Sequence, residues 1–373
     1  MSVIDQVRGG AEHLRDRAAA APSRPAVFGR RQWETLIVVA VLAALLPLVT
    51  NGLYLLGVAT TATIYAVLAL GFYFQFCLAG QFSLATSAFY ATGAYTSVWA
   101  ARHGGFLVGL VAAAVVAGLV GALLKLALAR SPLIHFSIAT LAFGSLALIV
   151  LRNWESFTGG ATGRYGIRTE LFGLSITSPE GFYLLGLAVL VIGLVLAVAF
   201  ERSPARRDVI FARDMGDVAR TTGLRVRRIQ VAAFGIGAAY MGAAGSLLAH
   251  TSGFINTTSF SVEISLDVLL MVLLGGVGSL WGPVVGAVVL TVLPEVLRDM
   301  ADYKDLIYAG IILLVVLARP GGLASLVVLA RPAVVRGGAA LAQVRPRRRA
   351  VGGGPMRLDG APLDATPTRE PKP

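Results

Sequence analysis

Cysteine is all but missing: Cys77 is the single one in 373 residues, which excludes an intrachain disulfide and any cysteine-built metal site. Its place inside an apolar run reads as a buried structural thiol. Lysine is nearly as scarce, confined to Lys125, Lys304 and Lys372. None follows a glycine, so there is no Gly-x-x-x-x-Gly-Lys-[Ser/Thr] loop and no route to ATP hydrolysis through one. His103, His135 and His250 stand far apart, with no His-Glu-x-x-His pair, so the sequence assembles neither a metal centre nor a catalytic site. Charge is thin as well, at 14% of residues, which is too little for the surface of a soluble chain of this length.

What fills the chain instead is apolar. Hydrophobic residues make up 56%, and the mean hydropathy is +0.75. They fall in blocks of about 15 to 25 residues, the length that crosses a bilayer as a helix. Open sheets would strand backbone hydrogen-bonding groups in lipid, and barrel-like alternation is missing, so the expected fold is an all-α, polytopic transmembrane bundle. About ten spans are predicted, near Leu36–Leu55, Val58–Leu78, Phe82–Ala101, Phe106–Leu128, Leu133–Leu151, Phe182–Phe200, Ile229–His250, Val262–Leu274, Leu280–Leu297 and Leu306–Leu317. The third is rich in Ser, Thr and Gly, and the eighth and tenth are short; these are candidates for broken or re-entrant helices.

The net charge of +12 is carried by arginine clusters outside the blocks, and short cytoplasmic loops collect such residues. The clusters divide the chain into a basic head (1–34), a membrane domain (35–319) and a basic, Pro- and Gly-rich tail (320–373) suited to anionic lipid headgroups. Within the membrane domain the loop 201–228 carries Arg202, Arg206, Arg207, Arg213, Arg220, Arg225, Arg227 and Arg228 and belongs in the cytoplasm, whereas the loop 152–181 falls outside. An even number of spans places both termini in the cytoplasm, at an inner membrane. The positive-inside pattern accounts for the charge without nucleic acid. Asp5, Glu12 and Asp16 interrupt the basic head, so it does not read as a cleavable secretory signal.

Glycine is abundant, with 43 residues, and lies where helices should touch: Gly93 in the third span, Gly242 and Gly245 in the seventh, Gly275 and Gly276 after the eighth. Gly278, Gly282 and Gly286 recur at every fourth position and are expected to line one face of the ninth span, with Pro283 and Pro294 as bending points. Gln81, Ser83, Thr86 and Ser87 offer uncharged hydrogen-bonding groups inside an apolar segment, either for a passing polar solute or for neighbouring backbone. Asp267, four residues from Glu263, is a carboxylate at membrane depth and a candidate for meeting a solute. Lys125 is expected to snorkel toward the interface. In the central loop, Asp214-Met-Gly-Asp-Val-Ala-Arg-Thr-Thr-Gly223 predicts a short helix with Met215, Val218, Ala219 and Thr222 on one face and Gly223 as its stop. Such a helix either rests on the membrane or docks on a partner.

Asp217-Val-Ala219 followed by Gly223 resembles the Glu-Ala-Ala-x-x-x-Gly signature of ABC-importer permeases. The succession Ala233-Phe234, Gly242-Ala-Ala-Gly245, Gly253-Phe-Ile255 and Leu274-Gly-Gly-Val-Gly-Ser-Leu-Trp-Gly-Pro283 resembles the LivM branch of the branched-chain amino acid permeases. Upstream, Gly80-Gln-Phe-Ser-Leu84, Ala88-Phe89, Gly93-Ala-Tyr95 and Thr158-Gly-Gly160 are similar to its other segments. The chain departs from the pattern at Ala85, Thr86, Gln230 and Gly237.

The resemblance implies a permease that imports branched-chain or related amino acids. Asp214, Asp217, Val218, Ala219 and Gly223 would form the coupling helix that meets an ATPase. Its partners would be two ABC ATPase subunits, which use the ATP and Mg, a related second permease and an external solute-binding protein. This chain itself would bind no cofactor or metal and would not be an enzyme. Two readings remain beside it: an ion-coupled secondary transporter, and an ABC permease for urea or short amides. A short echo between Gly80-Gln-Phe-Ser-Leu84 and Gly276-Val-Gly-Ser-Leu280 hints at a duplicated element.

Overall fold

The computed structural model describes residues 53–298, apart from 166, 168, 172 and 173, together with 43, 309 and 310. The basic head and tail and most of the spans expected near Leu306–Leu317 and Leu36–Leu55 lie outside the described residues.

Helix α1 (Leu53–Phe72) runs without a break into a π-helical turn, Tyr73–Leu78. Its threonines turn their hydroxyls back onto the helix, Thr60 to the Leu56 carbonyl and Thr63 to the Thr60 carbonyl, each at 2.7 Å. A polar side chain can thereby sit in an apolar helix with its hydrogen bond satisfied. Helix α2 (Thr86–Ala127) contains two of the expected spans. Gly104 and Gly105 leave the helical region inside it. Gly105 takes φ 74°, a conformation that side chains resist, and an added Cβ there would lie 2.8 Å from the Glu170 carbonyl. The chain doubles back at this point. Gly93 and Ala113, one on each half, both pack against Gly242, which a straight helix with a rise of about 1.5 Å per residue could not allow.

Helix α3 (Leu133–Asn153) leads through the one-turn α4 (Glu155–Thr158) into a connection with two short antiparallel pairs. Strand β1 (Arg164–Tyr165) pairs with β4 (Phe254–Ile255), and β2 (Glu170–Leu171) pairs with β3 (Leu174–Ser175). These pairs are the exception to the all-α expectation. Thr158 in the Thr-Gly-Gly motif shapes this connection, donating to the Leu151 carbonyl at 2.7 Å and accepting from the Gly160 N–H at 3.0 Å. Helix α5 (Pro179–Arg202) starts with Pro179 and with Ser178 as N-cap, whose hydroxyl accepts from the Gly181 N–H at 3.2 Å. Two short helices, the arginine-rich α6 (Pro204–Asp214) and α7 (Gly216–Thr221), follow at one end of the bundle.

Helix α8 (Val226–Ser252) runs through the centre. Its small residues let it lie directly against its neighbours. Gly242 faces Gly93, Gly245 faces the Tyr90 carbonyl, and Gly237 faces the Gly71 carbonyl, so closely that a Cβ at any of the three would strike backbone. Helices α9 (Val262–Gly275) and α10 (Trp281–Val296) form a tight hairpin. Gly275 and Gly282 meet across it, and Gly286 meets the Met271 carbonyl.

Two expectations about this hairpin need correction. Gly278 lies in the turn before α10, exposed and with nothing within 4 Å of an added Cβ, so it does not extend the packing face of Gly282 and Gly286. Pro283 falls in the first turn of α10, where a missing N–H removes no intrahelical bond, so it is no bending point; Pro294 is the proline within the helix.

Each span expected from Val58–Leu78 through Leu280–Leu297 has its helix. Among the described residues, 6 helices are long and apolar enough to cross a membrane, and α10 is a shorter apolar one.

Candidate functional site

Between the π-helical turn and α2 the backbone leaves the helix. Residues Ala79–Ala85 form an irregular segment, largely buried, that opens on Gly80 at φ 67°. The third expected span therefore starts at Thr86 rather than Phe82. Irregular backbone is tolerated inside a membrane protein only where neighbours satisfy its polar groups, and α3 does so here. Thr140 Oγ1 accepts from the Leu84 N–H at 3.1 Å, and Ser137 Oγ donates to the Phe82 carbonyl at 3.1 Å. On the far side, Ser265 of α9 accepts from the Ser87 N–H at 3.1 Å and donates to Ser87 Oγ at 3.3 Å. Thr140→Val should consequently cost about 1 kcal/mol, because the part-buried Leu84 N–H would lose its acceptor; denaturation of the purified variant in detergent measures this, and an unchanged midpoint would refute it.

The polar residues expected along a path gather at this break. Ser83 accepts from the Ala85 N–H at 3.3 Å. Gln81 donates to the Gln230 carbonyl at 3.3 Å, and Gln75, one turn earlier, donates to the Phe234 carbonyl at 3.1 Å. The side-chain oxygens of Gln75, Gln81 and Thr86 are buried and meet no hydrogen-bond partner among the described residues. Orphaned polar atoms are scarce in folded proteins. Three of them gather in or beside one helix break, and each retains an acceptor position there.

The hairpin turn repeats the device. Gly276 takes φ 108°, Ser279 Oγ accepts from the Trp281 N–H at 3.3 Å, and α10 begins at that residue. The echo between the two sequences is thus an echo of geometry: a glycine at positive φ, then a serine whose hydroxyl accepts from the backbone N–H two residues on, where the next helix is about to start.

Asp267 does not join the break. It is half-buried on α9 in electrostatic range of Tyr65, while Glu263 is exposed in the first turn. Among the described residues neither carboxylate makes a salt bridge. Tyr65 lines a cavity of about 130 Å³, with Tyr90, Thr61, Ser252 and Ser259 around it. The sequence pointed to none of these residues, since tyrosines and hydroxyls spread over separate helices carry no motif. Lys125 also departs from expectation: it is buried, with Nζ 4.2 Å above the Phe136 ring, rather than snorkelling. His250, which lacks any motif, is buried too. It contacts Ser97 Oγ at 3.1 Å and Thr169 Oγ1 at 3.3 Å, tying the strand-bearing connection to α2 and α8.

At the arginine-rich end, α7 closes in a Schellman motif. The Gly223 N–H bonds the Arg220 carbonyl and the Leu224 N–H the Ala219 carbonyl, both at 3.1 Å, with Gly223 at φ 85°. Ala219 is the buried anchor, packed with Ala212 and Val226. The apolar face drawn from the sequence therefore splits. Ala219 turns inward, while Met215 and Val218 stay 56% and 53% exposed, beside an exposed Asp217 paired with Arg220 at 3.4 Å. Asp214 meets Arg213 Nε at 3.0 Å.

Long apolar helices packed through glycine, with buried polar backbone at a break and an exposed helix at one end, define a multi-pass helical membrane protein. Residues 54–317 match the family described as branched-chain amino acid transport system / permease component. The chain is 34% identical over 328 residues to the high-affinity branched-chain amino acid transport system permease protein LivM of Escherichia coli (strain K12), covering 80% of this chain and 77% of that protein. It is 26% identical over 288 residues to the LivH permease protein of the same system and strain, covering 71% and 92%. Over 166 residues it is 34% identical to the autoinducer 2 import system permease protein LsrC of Enterobacter sp. (strain 638), covering 42% and 48%. No solved structure matches the chain. The chain belongs to the branched-chain amino acid transport permease family, and it is a permease component.

Proposed function

We propose that this chain is the membrane-spanning permease subunit of an ABC importer, moving branched-chain or related amino acids inward across the inner membrane. Two ABC ATPase subunits supply the work with their own ATP and Mg, an external solute-binding protein delivers the solute, and a related permease completes the pair. That LivM and LivH are both named as permease proteins of one transport system supports the pairing. The arginine-rich end faces the cytoplasm together with both termini, in keeping with where positive loops settle.

The observation that carries the proposal is α7. Its Met215 and Val218 are turned outward while Ala219 and the Gly223 stop fix the helix to the bundle. This exposed apolar pair, beside the exposed Asp217, is a surface that a partner can cover. An ATPase subunit seated there receives Asp214, Asp217 and Val218 directly, with Ala219 and Gly223 holding the shape. Inside, Gln81, Ser83 and Thr86 supply hydrogen bonds to the passing solute, and Asp267 with the Tyr65–Tyr90 cavity offers a place for its ammonium group.

Purifying the tagged permease in mild detergent tests this. The wild type is expected to retain an ATPase subunit. Gly223→Pro forces a φ the ring cannot adopt, and Asp217→Arg reverses the charge beside the apolar pair; both should lose the subunit while eluting as folded protein. A wild type that carries no ATPase, yet accumulates leucine in an ion gradient, would overturn the proposal in favour of ion-coupled transport.

A further inference from the structure

The arginine-rich end is fastened to the π-helical turn before the helix break at two points, one at the end of α5 and one in the last turn of α6. At the first, Tyr73, the opening residue of the π-helical turn, donates its hydroxyl to Glu201 Oε1 at 2.5 Å, and Glu201 in turn pairs with Arg206 Nε at 3.6 Å. At the second, Arg213 Nη1 donates to the carbonyl of Cys77, next to last in the same turn. The Arg213 side chain also crosses Gly80, where an added Cβ would lie 2.7 Å from Arg213 Cγ. Its Nε holds Asp214 at 3.0 Å, the last residue of α6, two positions before α7 begins.

These contacts run in a physical series. α7 follows Asp214, Asp214 is held by Arg213, and Arg213 grips the Cys77 carbonyl within the π-helical turn. Beyond that turn lie Gly80 and the irregular segment with Gln81 and Ser83. A π-helical turn widens the helix and leaves carbonyls available to outside donors, which makes it a natural place for a helix to change shape. A guanidinium offers several donors in a rigid fork, so one side chain can hold a carboxylate and a carbonyl together.

We infer that Arg213, with the Tyr73–Glu201 contact at the end of α5, is the strut through which movement at the arginine-rich end reaches the polar break. This deepens the proposed function and rests on it. Arg213 is a positioning residue: it touches the backbone of the break and acts on the solute only by setting that segment's shape. The segment 73–85 then moves with α6 as one piece.

Cys77 provides a reporter in place, because it is the sole cysteine of the chain and is buried at the gripped position. The permease is purified with its ATPase, and alkylation of Cys77 by N-ethylmaleimide is followed by intact mass, nucleotide-free and trapped with ATP and vanadate. In the wild type the two rates should differ by about fivefold or more, the scale of a typical coupling between sites. Arg213→Ala should bring the ratio close to one with the ATPase still bound, and Arg213→Lys should restore only part of it. Tyr73→Phe, which keeps the ring and removes one hydroxyl, decides the matter if Arg213→Ala does not fold, and should also shrink the ratio. Rates that change equally in wild type and variants, or that do not change in a wild type holding its ATPase, overturn the strut. Failure of the ATPase to co-purify with the wild type is a separate result that overturns the proposed function itself.

Discussion

Gly286→Val should unfold the α9–α10 hairpin, at a cost of about 3 kcal/mol or more. The neighbour of Gly286 is the Met271 carbonyl, and an added Cβ would overlap it. Side chains can swing aside; a helix backbone whose hydrogen bonds are already made cannot. The helices would have to separate, which also parts Gly275 from Gly282. Gly278→Ala is the internal control. That glycine belongs to the same four-residue repeat but sits in open space, so its substitution should change stability by less than about 0.5 kcal/mol. Thermal unfolding of both variants in detergent, read by size-exclusion recovery, separates the cases. Equal losses would mean that the hairpin is not packed as described.

Thr86→Val is expected to split stability from transport. Thr86 Oγ1 is buried and makes no hydrogen bond among the described residues, so replacing the hydroxyl with a methyl of similar size should hold or raise stability. Leucine uptake by cells carrying the variant should nevertheless fall by about tenfold, corresponding to one lost hydrogen bond to a charged solute group. Unchanged uptake would remove Thr86 from the path. Loss of stability would show that its hydroxyl has a structural partner after all.

These two predictions differ in how far the sequence could anticipate them. The helices were legible because a block of apolar residues has few options in lipid, and span ends shifted by only a few residues where caps intervened, as at Ser178 and Gly253. The stop of α7 was legible as well, since Gly223 takes the left-handed conformation that its residue type permits at least cost. The repeat Gly278, Gly282, Gly286 misled by one member, because spacing cannot tell a glycine inside a helix from one in the turn before it. The polar residues Gln81, Ser83 and Thr86 were found from their type alone, yet the helix break around them is held by Thr140, Ser137 and Ser265 from distant parts of the chain, and the orphaned oxygens of Gln81 and Thr86 show only in the packed structure.

The sequence by itself determined the solvent and the helical class, because hydropathy and arginine placement are local and additive along the chain, and its succession of motifs carried the resemblance to the family. Only the tertiary structure decided that α2 folds back at Gly104–Gly105 and that Asp267 stands apart from the break near Tyr65. It alone placed Arg213 across Gly80 and against the Cys77 carbonyl. Arg213 and Cys77 are separated by 136 positions. No pattern along the chain encodes such a pairing; it exists because the packing of α1, α5 and α8 leaves one carbonyl of the π-helical turn within reach of one guanidinium.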